Sequence, residues 1–301
     1  ESKQQMMVIA AADRLATTVL DLRRSRDTPV VTGSPVSAFV FDYDAVVTET
    51  DATTSLRKTS FDAAGALSAF TPYGTFVTNG FVHSDPDEDK LVRLDSSWTW
   101  DDPPELRRLT VGDTISGGTA WSRSVRFGGV QFARDFSLQP ELVTIPLPDF
   151  FGEMAVLGSL DVFIGVSKVL SDDLRAGPFD VRNLSIVTGG GQATVVVRDL
   201  LGRETSRTIN FFGDSRMLAE GLTSYSIDAG FLRKSYGEKS FDYGDAVVSG
   251  TLRHGIYDEL TAEAHAEASE GVAVVGAGGI VSLFDYGSLS LAGMGSTSDA
   301  G

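Results

Sequence analysis

Three consecutive glycines, Gly189-Gly190-Gly191, are the first place in this sequence where residue type and spacing could do chemistry. A glycine-rich turn cradles phosphate when it opens a helix, because free N–H groups and the helix dipole then face the anion. Here Gln192 and the strand-forming run Ala193-Thr194-Val195-Val196-Val197 follow, and the turn carries no Lys. A nucleotide loop lacks both its helix and its lysine, so the glycines read as a flexible hairpin turn. His83, His254 and His265 have no partner histidine at helical or strand spacing. HExxH does not occur and cysteine is absent, so no zinc site is expected. No G-x-S-x-G elbow marks a serine nucleophile. Carboxylates are abundant in Asp42-Tyr43-Asp44 and in Ser84-Asp85-Pro86-Asp87-Glu88-Asp89. A glycoside hydrolase needs one pair about 5–10 Å apart in a cleft, and abundance does not supply that pair. The second run reads as a solvated loop, with calcium binding as the alternative. Trp98 and Trp100, two apart, could stack on a sugar, stand at a membrane interface or fill a core. The residues therefore assign no catalytic group, no metal ligand and no cofactor.

The elements that carry these residues are strands. Of 301 residues, 25 are basic and 41 acidic, a net charge of -16. Such a chain repels nucleic-acid phosphates, so DNA and RNA are not expected partners. No run approaches the ~20 apolar residues of a membrane helix. A membrane β-barrel is not excluded, because its strands alternate and give no hydropathy peak. The chain starts at Glu1, and Met6 to Ala12 lacks the basic flank of a signal peptide, so processing or cutting from a longer chain is expected. Met6 to Arg24 mixes helix and strand formers, and both readings stay open.

After Pro35 the pattern has period two. Phe39, Phe41, Tyr43 and Ala45 alternate with Val40, Asp42 and Asp44. Val92, Leu94, Trp98 and Trp100 alternate with Arg93, Asp95, Ser97 and Thr99. Tyr225, Ile227, Ala229 and Phe231 alternate with Ser226, Asp228 and Gly230. Ala262, Ala264, Ala266 and Ala268 alternate with Thr261, Glu263, His265 and Glu267. Each segment makes one apolar and one polar face. A soluble sandwich and a membrane barrel both alternate in this way. From Pro140 to Gly213 the segments are shorter. Leu160 to Gly165, Lys168 to Ser171, Phe179 to Val181, Ala193 to Arg198 and Thr208 to Phe212 read as strands. The separators are turn residues such as Arg175-Ala176-Gly177-Pro178 and the triple glycine. Val195-Val196-Val197 reads as a strand buried on both faces. The middle is thus a small β-sandwich set into longer alternating strands.

An ordered series of motifs resembles the fimbrial (chaperone–usher) outer-membrane ushers. Leu109-Thr110-Val111-Gly112-Asp113-Thr114 is similar to a strand of that family. The segment Ser124 to Asp135, with Arg126, Gly128, Gly129 and Asp135, is similar to the one that follows it. Pro140, Pro146 and Pro148 fall where ushers enter their plug domain. Gly177-Pro178-Phe179 with Asn183-Leu184, and Gly189-Gly190-Gly191 with Val197-Arg198-Asp199 and Gly202-Arg203-Glu204, resemble the plug signature. Gly221-Leu222 to Gly230 resembles the return to the barrel.

The resemblance implies an all-β fold, a partial transmembrane β-barrel of antiparallel strands with an inserted β-sandwich plug. Residues 1–34 would be a lead-in, 35–139 and 214–301 barrel strands, and 140–213 the plug. It implies a pore in the outer membrane of a Gram-negative cell that translocates and assembles pilus subunits. Its partners would be periplasmic chaperone–pilus subunit complexes and outer-membrane lipid, with no enzyme activity and no cofactor. Gly177, Pro178, Phe179, Gly189, Gly190, Gly191, Arg198, Asp199, Gly202 and Arg203 would shape plug turns and plug–barrel contacts, or simply stabilise the sandwich. Glu263, His265 and Glu267 would keep the channel wet. Two departures stand out: Ile164 to Val169 lacks the family's plug asparagine, and the chain is short for an usher, as expected of a fragment. The competing classes are an acidic secreted β-rich glycoside hydrolase and a carbohydrate-binding adhesin.

Overall fold

A computed structural model describes residues 17–21, 37–51, 57–84, 89–140, 142–182, 184, 188–283 and 286–298. These residues form strands and one 3-10 turn, Phe136–Leu138. The strands are β1 (Thr18–Asp21), β2 (Ala38–Asp51), β3 (Arg57–Thr71), β4 (Gly74–Ser84), β5 (Asp89–Asp102), β6 (Arg107–Ile115) and β7 (Arg126–Arg134). They continue as β8 (Phe150–Met154), β9 (Gly158–Ile164), β10 (Ser167–Leu174), β11 (Gly177–Arg182), β12 (Gly189–Asp199) and β13 (Glu204–Gly213). The last are β14 (Thr223–Arg233), β15 (Tyr243–Tyr257), β16 (Leu260–Ser269), β17 (Val272–Ser282) and β18 (Ser288–Ser298).

One 11-stranded antiparallel sheet runs in the order β18-β17-β16-β15-β14-β7-β6-β5-β4-β3-β2. It is a meander, except that β7 pairs directly with β14 and β8 to β13 are inserted between them. Its apolar face is exposed, with Phe39, Phe41, Tyr43, Ile227, Phe231, Val248, Val275 and Leu291 all open to the surroundings. A face this large and this apolar is not left to water. It fits the lipid side of a membrane barrel, and of the two architectures open to the sequence this one is found. The two ends of the sheet differ. Two-residue turns, 72–73 and 258–259, and the turn 103–106 close one end, where the inserted strands also leave and return. The ten-residue loop 116–125 and the loop 234–242 stand at the other, together with the two-residue turn 270–271.

The inserted strands form a four-stranded sheet, β10-β9-β12-β13, facing a three-stranded one, β1-β11-β8. Leu160, Val162, Leu174, Phe179, Val181, Leu184 and Val195 make the core between them. The rings of Phe150 and Phe179 stack at 6.0 Å.

Several sequence expectations are corrected here. The triple glycine is not a turn: Gly189, Gly190 and Gly191 are the first residues of β12 and pair with Gly213, Phe212 and Phe211. The Phe211 ring lies where a side chain on Gly191 would be, so glycine is required by close approach rather than by a turn. Gly177-Pro178 likewise begins β11 instead of belonging to the preceding turn. Val195 is buried, but Val196 is only half-buried, because it stands between polar partners, Asp161 and Ser206, on the outer side of its sheet. In β5, Val92 and Trp98 fall on opposite faces, since a bulge sets Arg93 to Ser96 against Gly80 to Thr78 and inverts the alternation. Of the lead-in, only residues 17–21 are described up to Arg24, and Thr18–Asp21 is a strand; the rest of Met6 to Arg24 lies outside the described residues. In the acidic run, Ser84 and Asp89 pair at strand ends, and Asp85 to Glu88 lie outside the described residues.

Candidate functional site

The polar face of the large sheet is where buried polar groups collect. Strict alternation in β14, β15 and β16 puts Ser226, Asp228, Ser249, Thr251, Thr261, Glu263 and His265 on this face, and all are buried. What buries part of them is the loop 116–125, which turns back over β14 to β17 instead of extending away. Asp228 anchors it. The carboxylate accepts from the Gly117 N–H at 3.1 Å, Gln131 Nε2 at 2.7 Å, Ser226 Oγ at 2.8 Å and Ser249 Oγ at 2.9 Å. Gly117 sits against Ser226 so closely that no side chain fits there.

Trp121 at the loop tip lies against His265, edge to face at 6.2 Å, and over Gly276 and Gly278. Its indole N–H donates to Glu263 Oε2 at 2.8 Å, and Arg253 Nε donates to the other oxygen at 2.9 Å. His265 Nδ1 is 3.0 Å from Thr251 Oγ1, and its Nε2 is 3.6 Å from Glu267. Glu263 and His265 thus lie on the expected face, yet they are covered rather than wet, because the loop and its tryptophan close over them. Beside this covered region a cavity of about 740 Å³ opens on the same face, lined by Thr99, Arg108, Thr110, Gln131, Arg134 and Arg253.

The segment returning from the inserted strands is also pinned to the sheet. The Leu218 N–H donates to Thr261 Oγ1 of β16 at 2.9 Å, and the Ala219 N–H ties this segment to the outgoing one through the Thr144 carbonyl at 2.8 Å. Asp214 accepts from Arg216 Nη2 at 2.8 Å and from Ser288 Oγ at 2.5 Å. The Arg216 guanidinium, helped by Ser288, lowers the Asp214 carboxyl from 3.8 to about 2.

The motif residues are spread over three places. Gly112 and Gly129 pair within β6–β7, while Asp113 and Gly128 pair on the apolar face. Asp113 is ion-paired there with Arg93 and accepts from Tyr243 Oη at 2.5 Å and the Ser96 N–H at 2.9 Å. The Tyr243 ring covers Gly128, and Phe241 stacks on Arg93 at 4.5 Å. The 234–242 loop and Tyr243 thereby shield a charged pair that would otherwise face the apolar side. Arg126 donates to Asp95 at 2.8 Å and lies 3.9 Å over Tyr236. Asp135, at the opposite end, pairs with Arg108 and caps the 3-10 turn by accepting from the Ser137 N–H at 2.8 Å.

The remaining motif residues lie in the inserted strands. Gly177, Pro178 and Phe179 open β11, and Phe179 is buried against Gly152. Asn183 lies outside the described residues. Asp199 closes the turn to β13. It accepts from the Leu201 and Arg203 N–H groups at 2.8 and 2.9 Å and from Arg203 Nε at 2.7 Å. The Arg203 N–H bond, foremost, holds the Asp199 carboxyl below its ordinary value. Gly202 has φ +77°, which suits glycine in this turn. Arg198 pairs with Glu204 on the surface.

Sequence reasoning missed Trp121, Arg253, Asp214 and Arg216. A lone tryptophan amid Gly117-Gly118 and Ser122 was the available signal for the first; the others depend on pairings remote in sequence. Among the described residues, no three His, Cys, Asp or Glu side chains could hold a metal ion, and no helix is long and apolar enough to cross a membrane.

No family model matches the sequence. Among curated proteins, the F1 capsule-anchoring protein of Yersinia pestis is 24% identical over 183 residues, 61% of this chain and 22% of that protein. The outer membrane usher protein FimC of Bordetella pertussis is 28% identical over 159 residues, 52% of this chain and 18% of that protein. The outer membrane usher protein YehB of Escherichia coli is 25% identical over 160 residues, again 52% and 18%. The chain thus matches only about a fifth of the length of these relatives. Among solved structures, the usher PapC translocation pore superposes with a TM-score of 0.51 at 17% identity, covering 87% of this chain and 56% of that one. The P pilus tip assembly intermediate PapC-PapD-PapK-PapG superposes with a TM-score of 0.58 at 16% identity, covering 99% and 36%. In sequence the chain is thus similar to outer-membrane ushers, and its fold is similar to that of an usher pore.

Proposed function

We propose that this chain is part of an outer-membrane pore that passes and assembles pilus subunits delivered by a periplasmic chaperone. The polar face of the 11-stranded sheet lines the pore and the apolar face meets lipid. The single observation that carries this reading is the insertion of a self-contained sandwich between two barrel-type strands, β7 and β14, that pair with each other as if nothing intervened. A sandwich hung on two linkers at a pore end can block the pore and swing clear. Residues 140–213 are the plug in this reading, and 35–139 and 214–301 are wall.

The sandwich motif residues then keep the plug folded. Phe179 fills its core, and Asp199, Gly202 and Arg203 shape one exposed turn. Asp113, Arg126 and Asp135 hold the wall strands next to the insertion. The pore does no covalent chemistry. Work on the subunits comes from strand exchange among them, which is strand addition and needs no cofactor.

Short turns mark the periplasmic end of outer-membrane barrels and long loops the outer end. The plug would therefore hang from the periplasmic end, where chaperone–subunit complexes arrive. Partition of the full-length protein tests the reading. Recovery from the outer membrane, with migration on a gel that changes on heating, is expected. A soluble protein whose migration ignores heating would overturn it.

A further inference from the structure

β1 is out of place, since among the described residues every other strand pair is antiparallel. Thr18, Val19, Leu20 and Asp21 run parallel to Phe179, Asp180, Val181 and Arg182 of β11. No hairpin can make a parallel pair; the chain must cross over between the two strands. Here that crossover contains the whole first half of the wall, β2 to β7, before the chain reaches β11. Leu20 packs against the sandwich core, while Val19 is half exposed. Without β1, the β11 edge would be open.

We propose that Thr18–Asp21 is a detachable strand of the sandwich, a latch that ties the plug to the segment ahead of the first wall strand. The inference rests on the plug reading above. A four-residue strand with one core side chain is weakly held, since the ordering of four residues offsets most of its hydrogen bonds and burial. The two linkers are firmer, pinned through Thr144, Leu218 and Asp214. The latch is therefore the tether that gives way first. Residues 22–37, between the latch and Ala38, can extend at most about 55 Å, and a pull on the chain ahead of Thr18 acts on the sandwich through β1 directly. An event at the segment ahead of the wall thus bears directly on plug release.

These 301 residues contain no cysteine, so within them an introduced pair has no competing thiol. Neighbouring strands stand about 4.8 Å apart, within disulfide reach. The test is the full-length usher carrying Val19→Cys and Asp180→Cys, read by gel shift after cleavage at a protease site engineered into 22–37, and by bilayer conductance. Expected are a spontaneous disulfide, several-fold fewer opening transitions when oxidised, and recovery on reduction. Leu20→Asp should raise the frequency of openings several-fold. Val19→Cys with Val166→Cys, on a distant exposed turn, should not cross-link. Failure of the first pair to cross-link would overturn the strand assignment. A disulfide with unchanged openings, while deletion of 140–213 opens the pore, would overturn the latch and leave the plug standing. No change on deleting 140–213 would overturn the plug reading itself.

Discussion

Asp228→Ala probes the loop that folds over the polar face. Asp228 is buried and holds four donors, from Gly117, Gln131, Ser226 and Ser249. Hydrogen bonds to a charged group contribute about 1.5–3 kcal/mol each, and a buried donor left without a partner costs about 1–3 kcal/mol. The four are not additive. Gln131 borders the open cavity, and water there can replace its bond. The Ser226 and Ser249 hydroxyls can rotate toward other acceptors. Counting mainly the fixed Gly117 N–H, with a smaller share from the two serines, the loss is about 2–4 kcal/mol. Asp228→Asn keeps the shape and one acceptor oxygen and should lose about half as much. The assay is urea-dependent loss of the compact gel form in detergent, with limited trypsin digestion at Arg123 in the loop. Expected are a lower urea midpoint for Asp228→Ala, an intermediate one for Asp228→Asn, and faster cleavage at Arg123 in both. A wild-type midpoint with wild-type cleavage would refute the assignment of Asp228 as the anchor.

Three further outcomes follow from the same contacts. The folded Asp214 carboxyl is depressed from 3.8 to about 2, so its contribution is full above pH 4 and is lost as pH falls toward 2. With its partner Arg216 half exposed, this amounts to roughly 1–2 kcal/mol; Asp214→Asn should remove that acid-dependent step from a pH titration of protease susceptibility in the linker. Gly191→Ala forces a methyl into the Phe211 ring and should cost about 1–3 kcal/mol, while Phe179→Ala empties a buried ring site and should cost about 3–5 kcal/mol. Both should lower the thermal midpoint of the sandwich signal and leave the heat-modifiable migration of the wall intact. Trp121→Phe keeps the packing on Gly276 and Gly278 but drops the bond to Glu263, for about 1–2 kcal/mol and faster trypsin cleavage at Arg123.

The large sheet was legible in the sequence where a strand is regular. Ala262 to Ala268 against Thr261 to Glu267 gives both faces of β16 at once, because a strand has a period of two and nothing interrupts it. In β5 the same rule misplaced Val92, because one extra residue between Arg93 and Ser96 inverts every face beyond it and leaves no mark in composition. The glycines at 189–191 read as a turn from local preference. A ring delivered by Phe211, on the neighbouring strand, makes them strand residues.

Non-local partners account for the rest. Trp121 meets Glu263, and Leu20 meets the core around Phe179, across long stretches of chain that carry no local signal of the meeting. Arg93 and Asp113 are polar residues on an apolar face, understood only when the loop carrying Ser240 and Phe241 and the strand residue Tyr243 are seen over them. No local pattern marks Thr18–Asp21, ahead of the large sheet, as a strand paired with β11 of the inserted sandwich.

Planar-bilayer conductance of the full-length protein, intact and with residues 140–213 deleted, bears most directly on a pore closed by the inserted sandwich. The intact protein should show a low baseline with brief openings, and the deletion a large and lasting conductance. Equal conductance from the two proteins, or none from either, would contradict a pore that this sandwich closes.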